Sequence, residues 1–159
     1  MTAVKLSRES QYGLEALSVL AQQEEGTVML LKDIAGTGNL PSGFLAKIFQ
    51  KLARHKLVSS HRGAVRGYAL ARPAREISLR EIFEALEGPD LFSRCVFWPG
   101  QCGDQNPCRL HEQWGKIRPQ LQGIMEKVTL EQVALPKSRS TAPAGQRKER
   151  RIEDGRRKS

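Results

Sequence analysis

The chain has 159 residues, 39% of them hydrophobic, which supports one domain with a modest core. Its formal charge of +9 is unevenly placed: residues 136–159 carry nine Lys/Arg and three Asp/Glu, a net +6, while residues 1–135 carry seventeen and fourteen, a net +3. Without a long apolar run or a signal-like block at the N-terminus, a soluble cytoplasmic protein that spans no membrane is expected.

From the N-terminus, Ser10 to Gln23 is predicted to be helical. Leu14, Leu17 and Ala21 recur at three and four residues, Leu20 widens the face, and Ser7 or Ser10 supplies a cap. The apolar run Val28, Met29, Leu30 leads into a brief second helix with Leu31, Ile34 and Ala35, which stops within Gly36-Thr37-Gly38-Asn39. Pro41 suits the first position of a third helix. Leu45, Ile48, Phe49 and Leu52 form its apolar stripe, and Lys47, Lys51, Arg54 and Lys56 supply charge around it.

Two helices joined by a tight glycine-containing turn make a helix-turn-helix. The next segment extends it. Leu57 to Arg62 and Tyr68 to Ala71 read as short strands, with Val58, Tyr68 and Leu70 facing inward. Gly63 to Gly67 forms the tip between them. The expected fold is therefore mainly α with a small β-hairpin wing, a winged helix-turn-helix. Its third helix enters a DNA major groove and its wing follows a neighbouring backbone or minor groove. Ser42, Gly43, Phe44 and Lys47 would present the recognition helix, and Arg62 and Arg66 the wing. An ordinary solvated helix face would account for the basic residues alone, but not for the helix–turn–helix–hairpin order. Double-stranded DNA is the expected partner.

Ser78-Leu79-Arg80-Glu81 is a capping box, with Ile77 and Ile82 placed to staple across it, and its helix runs to Gly88-Pro89. Then comes the segment that holds every cysteine. Cys95, Cys102 and Cys108 are separated by six and five residues, and His111 follows after two more. Pro99, Gly100, Gly103 and Pro107 exclude a regular helix or strand. Buried small hydrophobes would suit a less polar loop. A disulfide would leave an odd thiol. Metal or cluster ligation is favoured, and spacing alone leaves zinc and iron–sulphur both open. No histidine–carboxylate grouping suggests catalysis, so an enzyme is not expected.

Beyond the loop, Leu110, Trp114, Ile117, Leu121, Ile124 and Val128 alternate at four and three residues. That is a heptad seam on a long helix. A two-fold homodimer on a palindromic site would cover it; burial within its own domain is the competing arrangement. Pro119 should kink this helix, and Thr129 to Gln132 opens a short final turn. The expected organisation is a DNA-binding domain over 1–90, a cysteine loop over 91–111, a dimerisation helix and terminal turn over 112–135, and a basic disordered tail over 136–159. That tail either adds non-specific attraction to phosphates or is a solvated end.

Over about residues 4–135 the chain resembles the Rrf-two family of bacterial winged-helix regulators, which includes IscR-, NsrR- and RirA-like proteins. The residues that carry the resemblance are Tyr12 to Leu17, Leu40 to Leu45, Ile48 to Leu52, Leu57 to Gly63, Gly67-Tyr68, Ile77 to Ile82, the three cysteines, and Val128 to Leu130. The resemblance implies a dimeric transcription regulator whose DNA binding responds to an iron–sulphur cluster. Cys95, Cys102 and Cys108 fall on the family's ligand positions. 2Fe-2S is favoured and 4Fe-4S is the alternative. IscR-like members place a histidine after the third cysteine at this spacing, which makes His111 the fourth ligand. NsrR-like members take an acidic ligand near the partner subunit's N-terminus, a place that falls here on Gln11, with Glu9 close by. The competing reading is a zinc-stapled winged-helix DNA-binding protein without redox sensing.

Overall fold

The computed structural model describes residues 6–134; the basic stretch 136–159, expected to be disordered, lies outside the described residues. Helix α1 spans Arg8–Ala21, capped by Ser7, whose hydroxyl accepts from the Ser10 amide at 3.1 Å. Ser10 does not cap. It is fully buried, and its hydroxyl donates to Glu87 at the far end of the chain's fourth helix (2.5 Å). Helix α2 is Leu31–Gly38 and ends on Asn39 with φ 51°. Asparagine tolerates this left-handed conformation better than other residues with a Cβ, so it does here what glycine does elsewhere. Helix α3 is Ser42–Arg54, with Pro41 one position earlier than expected, as the cap whose carbonyl accepts from the Phe44 amide. Its stripe of Leu45, Ile48, Phe49 and Leu52 is almost completely buried.

The wing is a two-stranded antiparallel hairpin, β1 (Val58–His61) with β2 (Gly67–Leu70), in which Val58 faces Leu70 and His61 faces Gly67. The apolar run before α2 also takes part: Met29 and Tyr68 exchange both backbone hydrogen bonds, at 2.9 and 2.8 Å. Val58, Tyr68 and Leu70 share the face turned to the core, as expected. Gly67 and Ala69 are its buried residues, whereas Tyr68 and Leu70 are half-buried against the core, the Tyr68 ring 4.8 Å from that of Phe49. Met29 covers the second edge of β2. A Cβ at Gly67 would lie 2.2 Å from the Met29 carbonyl oxygen, so the close approach requires glycine there.

A short 3-10 turn (Ala74–Glu76) leads to helix α4, Leu79–Glu87. Both bonds of its capping box form: the Ser78 amide donates to Glu81 Oε2 (2.9 Å), and the Glu81 amide donates to Ser78 Oγ (3.2 Å). Ile77 and Ile82 are fully buried beside it. Gly88, at φ 107°, stops the helix and releases the cysteine loop. Helix α5, His111–Lys127, runs through Pro119, and the chain then returns to α4. Ser78 bridges Thr129, the Leu79 amide donates to Val128, and the Leu130 amide donates to Ile77. Leu130 opens the short helix α6 (Leu130–Val133) and is fully buried in the core shared by α1 to α4. No helix among the described residues is long and apolar enough to cross a membrane.

The heptad seam of α5 splits into two rows. Trp114 is buried, and Leu121 and Val128 pack against the chain's own core, together with Met125. Ile117 and Ile124 are 54% and 58% exposed, and Leu110 lies in line with them. Successive heptad positions diverge around a straight helix, so one row meets the core while the other faces solvent.

Glu87 ties the start of α1 to the end of α4, accepting from the Ser10 hydroxyl and the Ser7 amide. Partial burial alone would raise its pKa; the serine hydrogen bonds and the charge of Arg94 more than offset this, and the carboxyl lies below its ordinary value. A depressed folded pKa adds stability that is fully present above the unfolded value of ~4.3 and is lost as pH falls through the folded value. Glu87→Gln should therefore cost about 1–2 kcal/mol at neutral pH. Urea denaturation should show that difference shrinking as pH drops through the range below ~4.3.

Candidate metal centre and nucleic-acid face

The loop between α4 and α5 is built from turns. The Leu91 amide bonds to Gly88, those of Ser93 and Arg94 bond to Asp90, and Gly103 pairs with Asn106 in an isolated bridge. Phe92 and Cys95 are its buried residues. Two side chains on α5 hold its first part: Trp114 Nε1 donates to the Arg94 carbonyl at 2.9 Å, and Arg118 Nη1 donates to the Ser93 carbonyl at 2.8 Å. The proline- and glycine-containing stretch is thereby folded back on itself over the first turn of α5.

This folding brings the three sulphurs together. Cys95, Cys102 and Cys108 are free thiols whose Sγ atoms all lie within 4.8 Å of one another, with Cys95 and Cys108 at 3.9 Å. Backbone donors point at the sulphurs: the Trp98 amide at Cys95 (3.5 Å) and the Cys108 amide at Cys102 (3.3 Å). His111 opens α5 with Nδ1 3.3 Å from Cys102 Sγ, and its Nε2 faces Asp104 Oδ1 at 3.4 Å. A cavity of about 310 Å³ adjoins the site, lined by Cys95, Cys102, Asp104, His111, Trp114 and Arg118 among others.

The thiols differ electrostatically. Burial opposes ionisation of Cys95, but the amides of Trp98 and Phe97 and the two neighbouring thiols overcome it, and its pKa is lowered. At Cys102 the Cys108 amide favours the thiolate, yet burial and hydrogen bonding with the other two cysteines outweigh that amide and the pKa is raised. Cys95 is thus the readier thiolate of the two. Three thiols and an imidazole are a soft donor set, suited to zinc or an iron–sulphur centre and not to magnesium or calcium.

Ser42, Gly43, Phe44 and Lys47 are all exposed along the first turns of α3, and Arg62 and Arg66 are exposed on the wing. Among the described residues, Lys47, Arg62 and Arg66 make no ion pair. Phe44 is 63% exposed, with its ring 6.2 Å from that of Tyr12 on α1, an aromatic support the sequence reading did not single out for this face. Lys51 is turned inward instead, its Nζ 2.8 Å from Glu9 Oε1 and 3.4 Å from the Leu86 carbonyl. Glu9 is thus engaged within its own chain, while Gln11 Nε2 donates to the Leu6 carbonyl. The sequence reading also passed over Asp104 and Arg118. Nothing local marks Asp104. Arg118 lies seven residues after His111, two turns along the same face of α5, and that spacing was available.

With a winged helix-turn-helix and a three-thiol centre in place, comparison with known proteins becomes informative. Residues 6–135 match the family model Rrf2, described as an iron-dependent transcriptional regulator. The chain belongs to the Rrf2 family. It is therefore a DNA-binding transcriptional regulator, not an enzyme. It is 28% identical over 127 residues to the HTH-type transcriptional regulator IscR of Escherichia coli, covering 80% of this chain and 78% of that one. Among solved structures, it is similar to CymR (YrzC), the global cysteine regulator of B. subtilis. The TM-score is 0.67 at 31% identity, covering 83% of this chain and 97% of that one. It is also similar to IscR of T. potens, with a TM-score of 0.64 at 28% identity over 82% of this chain and 85% of that one.

Proposed function

We propose that this Rrf2-family regulator controls DNA binding through an iron–sulphur cluster held by Cys95, Cys102, Cys108 and His111. The observation that carries the reading is the convergence of three free Sγ atoms within 4.8 Å, beside an imidazole, in a family described as iron-dependent. A 2Fe-2S centre suits three thiolates and one histidine; 4Fe-4S is the alternative. Such a centre supplies sensitivity to iron or cluster supply, to oxidants and to nitric oxide. The histidine is more readily displaced than a thiolate, because protonation competes for it. Residues 1–90 read DNA, 91–111 hold the cluster and 112–135 carry the dimer contact, all in the cytoplasm.

A second reading rests on the same three thiols: tetrahedral zinc, like tetrahedral iron, holds sulphur at ~2.3 Å and so separates its thiolates by about 3.8 Å, close to the 3.9 Å between Cys95 and Cys108. Zinc would staple the loop without redox sensing. Anaerobic purification with metal and acid-labile sulphide analysis separates the two. The cluster reading expects a coloured protein containing iron and sulphide; a colourless protein with stoichiometric zinc after reconstitution would refute it. In the coloured protein, His111→Ala should shorten cluster lifetime or shift the visible spectrum, His111→Cys should restore a tight centre, and Glu9→Ala should do neither. The reverse pattern would move the fourth ligand to Glu9 of the partner subunit.

For DNA, α3 enters the major groove of a palindromic site through Ser42, Gly43, Phe44 and Lys47, and Arg62 and Arg66 follow the wing into the flanking groove or along the backbone. Arg62→Ala should weaken binding to a selected operator by about 1–3 kcal/mol. Unchanged affinity across a salt series would remove the wing from the interface.

The homodimer forms on the outward row of α5, Leu110, Ile117 and Ile124, since the inward row already packs against the core of its own chain. Ile117→Asp should leave the fold intact and yield monomers by sedimentation, because it places a charge where the two helices meet. A stable dimer in that variant would show that α5 is not the contact.

A further inference from the structure

The α5 face behind the cysteine loop presents His111, Trp114 and Arg118, and all three line the cavity that also exposes Cys95 and Cys102. His111 and Trp114 have roles already described. Arg118 is a half-buried cation, held at the cavity wall by its hydrogen bond to the Ser93 carbonyl. Neighbouring charges are differently disposed. Arg94 is paired with Asp90 at 3.3 Å, and Lys116 with Glu112 at 2.7 Å. Arg109 is exposed and does not line the cavity. Asp104 does line it, but its side chain is 97% exposed and its field is screened by water. Among the described residues Arg118 makes no ion pair, and Asp104, the carboxylate that shares the cavity, is turned to water and offsets the positive charge only weakly.

We propose that Arg118 tunes the reduction potential of the centre, raising it by stabilising the more negative, reduced form; this rests on the cluster reading above. With three thiolates and a neutral imidazole, a diferric 2Fe-2S centre carries a formal charge of about −1. Adding one electron converts one ferric to a ferrous ion and takes the charge to about −2. The electron comes from an external reductant, and no proton is exchanged at Arg118, whose guanidinium stays protonated throughout. A fixed cation at the wall of a half-buried cavity favours the second state over the first, and the lower local dielectric strengthens the effect. Arg118 is thus a positioning and electrostatic residue, not a ligand.

The test is an anaerobic spectroelectrochemical titration, with dithionite as electron donor, of the full reconstituted chain and of its Arg118→Gln and Arg118→Lys variants. Glutamine keeps an N–H donor for the Ser93 carbonyl while removing the charge; lysine keeps the charge while losing the planar fork. The expected result is a lower midpoint potential for Arg118→Gln, a value near the native one for Arg118→Lys, and unchanged iron, sulphide and oxidised spectrum in both. Arg118→Met provides a second neutral variant and should follow Arg118→Gln. An unshifted potential in both neutral variants would overturn the proposal, as would equal shifts in the neutral variants and Arg118→Lys, which would mean a role in loop structure alone. A native protein without iron and sulphide would instead remove the cluster reading, and the tuning role with it.

Discussion

Between Gly88 and Leu110 the chain contributes little to the hydrophobic core, with Phe92 and Cys95 its buried residues. A loop of this length that buries so little apolar surface does not recover its own ordering entropy. Its conformation depends on polar ties: the Trp114 indole to Arg94, the Arg118 guanidinium to Ser93, and backbone amides aimed at the sulphurs of Cys95 and Cys102. The last group has no apolar substitute. Three thiols packed together become mutually repulsive as they ionise, and a bound metal centre turns that repulsion into attraction. Leu121, Met125 and Val128 hold the body of α5 on the core, while the path into its first turn depends on a segment whose own folding energy is small.

The parts of the fold that could be read from the sequence were those specified locally. The Ser78–Glu81 capping box and the α3 stripe each involve residues within one helix, and both formed as expected. Small displacements have local causes too: Pro41 caps α3 because its carbonyl accepts from Phe44, and Asn39 takes the left-handed position between Gly38 and Leu40. What escaped was set by tertiary neighbours. Val28 to Leu30 reads as an isolated apolar run, yet Met29 exchanges both backbone hydrogen bonds with Tyr68 and so closes the second edge of β2. Ser10 resembled a cap, but its hydroxyl meets Glu87, which is far away in sequence. In the α5 seam the periodicity was correct, and what it could not specify was which row would be covered by this chain's own core.

The same division holds at the candidate site. Cysteine spacing pointed to three thiols that the fold brings within 4.8 Å of one another, because few polar loops concentrate such residues by chance. The residues around them, Asp104 and Arg118, are common surface types that acquire meaning only through a cavity formed by two elements. Sequence spacing identifies ligands more readily than it identifies the field in which they sit.

The loop also has a short physical connection to α3. It leaves α4 at Gly88, immediately after Leu86 and Glu87. The Leu86 carbonyl accepts from Lys51 on α3, whose ammonium also pairs with Glu9 on α1, and Glu87 holds Ser7 and Ser10 at the start of α1. The end of α4 is thus bonded both to α3 and to α1. A shift of α4 by a fraction of a helical turn would strain these buried or half-buried bonds together, since packed interfaces respond by exchanging discrete arrangements rather than by stretching. A coupling free energy of ~1–3 kcal/mol is enough to change DNA affinity several-fold to about a hundred-fold. That is comparable to two or three hydrogen bonds at the end of α4, each worth about 1 kcal/mol net. An ordering event at the cysteines needs no long relay to reach α3, because the loop begins where the two helices are already tied.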